Sequence, residues 1–420
     1  MNSLNAEFTK SQGECRFCGS PLRLSMVDLG MSPISNADIK PEKEREMEAF
    51  YPLDVHVCES CWLVQLEEFL AADEIFTDEY PYFSSFSSSW LDHARRYSHS
   101  MIERFELCGD SQVVELASND GYLLKNFKEK GINILGVEPC ANVAEAAEKL
   151  GIPSLVKFFG VETAREMVAD GMKADLLIGN NVLAHVPDLN DFVQGMKILL
   201  ADEGVITMEF PHLKKLIELN QFDTIYHEHF SYFSLVSVER VFREFGLVIF
   251  DVEEIPTHGG SLRIYARHDS DSTKPVQSAV NKLRDEEIAC GYEKPEIYAN
   301  YSEKVKETKR QLLSFLIEAK REGKTIVGYG APAKGNTLLN YCGIRKDFLD
   351  YTVDISPIKQ GVLLPGTHIP VYPPEKIAET KPDYVLVLPW NLKEEIMDQM
   401  AHIREWGGKF VVAIPRLEVI

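Results

Sequence analysis

The sequence predicts a multidomain α/β protein in which a small cysteine-rich module precedes two Rossmann-like β-α-β regions. Three observations carry this. Two C-x-x-C pairs lie near the N-terminus, a strand-loop-helix-strand run starts as SQVVELASNDGYLL at Ser111, and a second strand with its own glycine turn, TIVGYGAPAKGNTLLNY, starts at Thr325. A chain of 420 residues is too long for one ordinary core, and the pattern divides it at 1–75, 76–270 and 271–420. With 45% apolar and 26% charged residues it reads as globular. No apolar run long enough to span a bilayer and no secretory pattern at the N-terminus is visible, so a cytoplasmic protein is expected. The formal net charge of −21 argues against nucleic acid or an anionic membrane as the main partner, because both select for excess Lys and Arg.

The first module is read from its cysteines. Cys15 and Cys18 (CRFC) and Cys58 and Cys61 (CESC) are separated by 39 residues. Each C-x-x-C turn offers two sulfurs from one tight loop, and two such turns complete a tetrahedral zinc site. Four sulfur ligands leave no open position, so the predicted zinc is structural. Such binding is worth roughly 10–16 kcal/mol in zinc-finger peptides. A thioredoxin-like dithiol is the competing reading, and finding two pairs at once speaks against it.

The second region runs strand VVEL, turn ASNDG, helix YLLKNFKEKG closed by Gly131, and strand INILGVEP ending near Glu138. A dinucleotide would need G-x-G-x-x-G at this turn, and the spacing is absent. S-adenosylmethionine (SAM) has no phosphate. Its loop passes beneath the amino-acid portion while an acidic residue at the end of the next strand takes the ribose hydroxyls, a role that fits Glu138. The cofactor candidates are Glu115, Ala117, Ser118, Asn119, Gly121, Tyr122 and Leu123 on the loop, Glu138 and Pro139 after the second strand, and Asn180 and Asn181 at the end of ADLLIGNN. Further on, SVERVFREFG reads as a helix, and GLVIFDVEEI and SLRIYARH as extended runs joined through PTHGG. Such a terminal antiparallel hairpin completes the seven-stranded sheet of class I SAM-dependent methyltransferases. A hydride-transfer fold does not predict it.

With these motifs together, the chain resembles the sugar C-methyltransferases that act on nucleotide-diphosphate-linked 4-keto deoxyhexoses. The marks are the cysteine knuckles, ELASNDGYLL, NNVLAHVPDL, YHEH, THGGSLR and VGYGAPAKGNTLLN, and they span essentially the whole chain. One departure from the commoner methyltransferase loop is Ala117, where many enzymes carry glycine. The resemblance implies SAM as cofactor and a dTDP-linked sugar as substrate, with GDP and CDP as alternatives. It implies that Tyr226, Glu228 and His229 occupy catalytic positions, with His229 as base. It also favours DEYPYFSSFSSSW as a lid bringing Tyr80 or Tyr82 into the site, where the residues alone fit a polar linker equally well.

Forming a C–C bond from a sulfonium methyl needs a carbon nucleophile, which in a sugar arises only where a proton leaves beside a carbonyl. A base and an oxyanion donor are both required; each typically contributes about 10²–10³-fold or more. His185, just past a strand end that faces the cofactor, is a candidate for the 4-keto oxygen or enolate. Tyr226 would donate to the same oxygen and Glu228 would orient or balance the imidazole. His227 points away from His229 if that backbone is extended.

The last region is charged and helical up to Gly323, then alternates strand and loop as a second Rossmann-like domain. Gly328, Gly330 and Lys334 suit a phosphate at a helix N-terminus. Lys334, Asn336, Asp354 and Lys359 are candidates for diphosphate or base contacts. Two other function classes fit parts of the pattern: a nicotinamide-dependent sugar-nucleotide oxidoreductase using GYGAPAKG, and a zinc-ribbon interaction protein with an inactive core. Position C3 is preferred for the methyl, while C5 also lies beside a C4 ketone.

Overall fold

The computed structural model describes residues 13–69, 84–86 and 88–420. Tyr80 and Tyr82, and the expected division at residue 75, lie outside the described residues. No helix among the described residues is long and apolar enough to cross a membrane.

The strands follow in chain order. The first three are β1 (Leu24–Ser32), β2 (Tyr51–Val57) and β3 (Val64–Leu66). Eight more follow: β4 (Gln112–Leu116), β5 (Asn133–Val137), β6 (Ser154–Leu155), β7 (Ala174–Asn180), β8 (Leu200–Pro211), β9 (Ser231–Tyr232), β10 (Leu247–Ile255) and β11 (Ser261–His268). The last six are β12 (Ile326–Tyr329), β13 (Thr352–Val353), β14 (Val371–Tyr372), β15 (Tyr384–Val387), β16 (Lys409–Val412) and β17 (Glu418–Val419).

The middle sheet runs β10-β11-β8-β7-β4-β5-β6. It is parallel from β8 to β6, and β11 is antiparallel to both of its neighbours. This is the class I methyltransferase order with its terminal hairpin, as the two extended runs around PTHGG predict. The C-terminal sheet runs β14-β13-β12-β15-β16-β17, the doubly wound 3-2-1-4-5-6 order, with only β17 antiparallel.

Two details differ from expectation. The helix expected over 122–131 is confined to Leu124–Lys128, with Asn126 Nδ2 bonding the carbonyl of Leu123 at its start (2.9 Å). Its far end closes in tight turns, Lys130 N to Phe127 O and Gly131 N to Lys128 O, with Gly131 at φ 72°. Second, the sheets do not respect the expected divisions. Strand β9, from the middle of the chain, pairs with β3 and completes the N-terminal sheet. The helix Ser278–Cys290, beyond the expected boundary, packs Val280 and Leu283 into the methyltransferase core.

Packing joins the three parts. Met26, Val27, Val55 and Val57 of the N-terminal sheet share a core with Tyr298, Val305 and Leu312, on or just before the long helix Tyr301–Arg321, and with β12, β15 and β16. Cys15, Cys58 and Leu63 instead pack with the methyltransferase core. The small module is thereby wedged against both larger ones, and a cleft opens where all three meet.

Candidate active site

The cofactor wall begins where β4 ends. Ala117 and Asn119 take left-handed backbone angles (φ 54° and 50°) and Gly121 follows at φ 75°. The loop crosses β5 at Gly136, where a methyl group would lie 2.2 Å from Ser118 Oγ, so only glycine permits the approach. Glu138 is held by two backbone donors, Asn119 N on Oε2 (3.0 Å) and Cys140 N on Oε1 (2.9 Å). Burial nevertheless leaves its pKa raised. Ala117, Asn119, Tyr122, Glu138, Pro139, Asn180 and Asn181 line a cleft of about 590 Å³. Glu115, Ser118, Gly121 and Leu123 do not line it. Glu115 is buried beneath the loop, its pKa pushed well up by burial and then by Asp120 and Glu138.

The donor set fits SAM. Each Glu138 oxygen accepts one backbone hydrogen bond and keeps a lone pair for a neighbouring hydroxyl. Both polar atoms of the buried Asn180 amide, and Oδ1 of Asn181, have no partner among the described residues. Unpaired buried amide atoms in a cleft wall are what a polar ligand would satisfy.

The wall that carries the expected acid–base residues is the segment TIYHEHF. It is a turn and not a strand: His229 N donates to Tyr226 O (2.9 Å), and Phe230 N to Ala184 O (2.8 Å). His227 is turned out of the cleft even so, its Nε2–H donating to Pro52 O at 3.1 Å. The tautomer of His229 follows from its partners. Nδ1 lies 2.8 Å from the carbonyl of Thr224, which can only accept, so Nδ1 carries the proton. The Nε2 lone pair therefore faces the Tyr226 hydroxyl, 2.9 Å away. The ring of His185 stands at 4.7 Å from that of His229. Burial, then His185, holds His229 well below the usual histidine pKa, and burial brings His185 down to about 4. Both are neutral at physiological pH. Glu228 is buried too; its carboxyl is pushed up to about 7 by burial, moderated by Asn36 and Lys359. Asn36 Nδ2 donates to Glu228 Oε1 at 2.6 Å.

The third wall comes from the C-terminal domain. Lys334 and Lys359 line the cleft. Lys334 Nζ donates to Asn391 Oδ1 (2.8 Å) and lies 4.8 Å from the Trp390 ring. Lys359 Nζ donates to Ala331 O (2.6 Å). Gly328, Gly330, Asn336 and Asp354 shape this wall without lining it. Asp354 accepts from Ala331 N (2.7 Å), and Asn336 Nδ2 reaches Ser35 O in the N-terminal module (2.6 Å).

Among the cleft residues that escape sequence reasoning are Asn36, Trp90 and His258. Asn36 sits in an unremarkable stretch that only long-range folding brings in, whereas Trp90 closes the DEYPYFSSFSSSW stretch, in which only the tyrosines are singled out. His258 carries a signal in THGG: two glycines follow a histidine that itself adopts φ 54°. Its Nε2 lies 3.3 Å from Asn181 Nδ2, its ring is edge-on to Trp90 at 5.2 Å, and burial, then Lys334, lowers its pKa to about 4.

The metal centre lies outside the cleft. Cys15, Cys18, Cys58 and Cys61 present sulfurs all within 4.8 Å of one another. The Cys15–Cys61 and Cys18–Cys58 separations are 3.5 Å, close to the ~3.8 Å edge of a tetrahedron with 2.3 Å zinc–sulfur bonds. Neighbouring thiols pull Cys15 down while Cys61 is pushed up, because four crowded sulfurs cannot all ionise without a cation. The set fits structural zinc.

The strand order, the carboxylate at the end of β5 and the cradle of left-handed residues define a class I SAM-dependent methyltransferase. Family models agree along the chain: a "C-methyltransferase C-terminal domain" matches residues 256–415, a "methyltransferase domain" 90–252 and a "zinc binding domain" 15–76. The C-methyltransferase NovU of Streptomyces niveus is 36% identical over 407 residues, which is 97% of this chain and 96% of that one. The chain belongs to this C-methyltransferase family. Among solved structures, magnesium protoporphyrin IX methyltransferase (ChlM) of Synechocystis PCC 6803 with bound SAM is 13% identical (TM-score 0.33), covering 42% of this chain and 78% of its own. A SAM-dependent methyltransferase of Anabaena variabilis is 16% identical (TM-score 0.35), covering 43% and 86%.

Proposed function

We propose that this C-methyltransferase acts on a nucleotide-diphosphate 4-keto-6-deoxy sugar, dTDP-linked, removing the C3 proton beside the C4 ketone and methylating that carbon. The observation that carries the reading is the Tyr226–His229 pair. A hydroxyl donor and a bare imidazole nitrogen stand 2.9 Å apart, matching a carbonyl oxygen and the C–H on the adjacent carbon. When the substrate is bound, the Tyr226 O–H turns to the C4 oxygen and stabilises the enolate, and His229 Nε2, released, accepts the C3 proton. Glu228 balances the imidazolium that results. SAM supplies the electrophilic methyl group. Lys334 and Lys359, two cations in the cleft of a chain with net charge −21, suit a diphosphate, and binding there fixes the reacting carbon. The preference for C3 and for dTDP rests on the resemblance of the motifs. Four reduced thiolates suit a cytoplasmic site of action. We retain 1–75, 76–270 and 271–420 as a functional division into zinc, methyl-transfer and nucleotide-binding parts.

The test is incubation with SAM and a panel of 4-keto nucleotide sugars, with the methylated atom located by NMR. No methylated product from any donor rejects the reading. His229→Gln should slow both methyl transfer and wash-in of solvent deuterium by about 10²–10⁴-fold; undiminished wash-in would remove His229 as the base.

A further inference from the structure

The residue between the first two zinc cysteines does more than fill the knuckle. Arg16 sits next to Cys15, and its backbone N donates to Gln65 Oε1 (2.9 Å), while Gln65 Nε2 donates to Cys15 Sγ (3.2 Å). Its side chain leaves the metal centre altogether. Nη1 donates to Pro187 O at 3.0 Å, on the loop that carries His185, and Nη2 donates to Leu66 O. The guanidinium lies 5.4 Å from the centroid of the Phe230 ring, the residue after His229. Leu66 N in turn donates to Phe230 O (3.0 Å), and Phe230 N to Ala184 O (2.8 Å). From the outer side, Asn190 Nδ2 donates to Phe17 O (2.9 Å), tying the start of the helix Leu189–Leu199 to the same knuckle.

We infer that Arg16 is a positioning residue of the catalytic centre, through which the zinc knuckle fixes the His185 loop against the segment carrying Tyr226, Glu228 and His229. The argument is geometric. A guanidinium is a rigid planar fork, and here one arm reaches the Pro187 carbonyl on the His185 loop while the other reaches the Leu66 carbonyl on β3, whose Leu66 N in turn holds Phe230 O, next to His229. Its Nε is buried without a partner among the described residues. Leaving a buried donor unpaired is unfavourable, and a lysine or an apolar residue would fill the space without it. Neither would span both carbonyls. The zinc anchors the base of the fork, since both backbone ends of Arg16 lie within the Cys15–Cys18 turn. Of the two histidine rings that stand 4.7 Å apart between these segments, His229 is the base of the proposed chemistry and His185 is its edge-on neighbour, so the inference rests on that reading of His229. A displacement of about 1 Å in such a constellation is worth up to 10²-fold in rate.

Arg16→Met and Arg16→Lys test this in the full-length zinc-loaded protein. Metal analysis should find about one zinc per chain in both, because the four ligands are untouched. Arg16→Met should lose roughly 10–100-fold in kcat and in deuterium wash-in, with KM for the sugar nucleotide within about threefold. Arg16→Lys, able to reach one carbonyl, should recover part of the loss. Amide hydrogen exchange gives a readout independent of turnover: peptides covering 182–190 and 224–232 should exchange faster in Arg16→Met while the two knuckles stay protected. Parent-like kcat and exchange in zinc-bearing Arg16→Met would overturn the inference, and so would a loss that merely tracks lost zinc. If the parent itself methylates no 4-keto donor, the functional reading fails, and the exchange comparison still decides the positioning role. Should Arg16→Met not fold, Arg16→Lys carries the same comparisons, with the intermediate loss expected and a parent-like result overturning it.

Discussion

Four residues other than glycine hold left-handed backbone angles in the cleft wall: Ala117, Asn119, Asn181 and His258. Asparagine tolerates that region through local hydrogen bonding, whereas alanine does not, at a cost of about 1–2 kcal/mol. Strain of this kind gathers at sites where the loop must pass close to a ligand. Ala117→Gly should therefore be neutral to stabilising by up to about 1 kcal/mol in urea denaturation, because glycine's gain in αL is offset by the entropy it loses on folding. A loss above that size would show that the Ala117 methyl is needed for packing. A second prediction concerns Asn36. If the imidazolium at His229 is balanced by an ionised Glu228, kcat/KM rises with pH through about 7, the point to which burial has pushed that carboxyl. The Asn36 donor favours the ionised form, as does the Lys359 charge, while His185 and His229 face the same turn as neutral rings. Asn36→Leu removes one favourable contact, so the Glu228 pKa rises and the acid limb moves alkaline, by roughly one pH unit. A limb that stays put in a pH–rate series would take Glu228 out of the profile.

At the scale of elements, what could be read from the sequence was what local geometry dictates. Zinc constrains sulfurs three positions apart, so CRFC and CESC announce their site by spacing alone. The β4 to β5 unit places Glu138 because a parallel strand must end where its neighbour's loop begins, and the closing hairpin β10–β11 is visible as two extended runs around glycines. The turn at 226–229 was not readable, because period-2 and turn placements of YHEH look alike until the Thr224 carbonyl and the Ala184 carbonyl are in place. Nor was β9 readable: two residues, Ser231 and Tyr232, become a strand only because β3 presents an open edge to them. Asn36 lies 192 positions from its partner Glu228, and no local pattern encodes such a pairing. The proposed acid–base residues were thus read from motif resemblance, while the His229 tautomer and the hydrogen bonds of the turn come from the fold.

At the scale of the whole molecule, the zinc module is inseparable from the enzyme that it precedes. One face of β1 and β2 contributes Met26, Val27, Leu29, Leu53, Val55 and Val57 to a core shared with Tyr298, Val305, Leu312 and Leu316, and Trp62 stacks on Tyr298 at 6.1 Å and 10° between planes. Burying an aliphatic side chain of this size contributes about 1.5–3 kcal/mol, so six of them amount to on the order of 10 kcal/mol, comparable to the entire stability of an ordinary domain. A chain beginning at residue 70 would expose that face on the helix Tyr301–Arg321 and leave β9 without its partner strand. It would also lose Asn36 from the cleft and Arg16 from the loops behind it. We expect residues 70–420 expressed alone to aggregate, or to melt broadly and well below the full chain, with SAM binding lost by calorimetry. A monodisperse fragment that melts cooperatively near the parent's temperature and still binds SAM would mean that the shared core is dispensable, and that the module is an appendage instead of a wall of the active site.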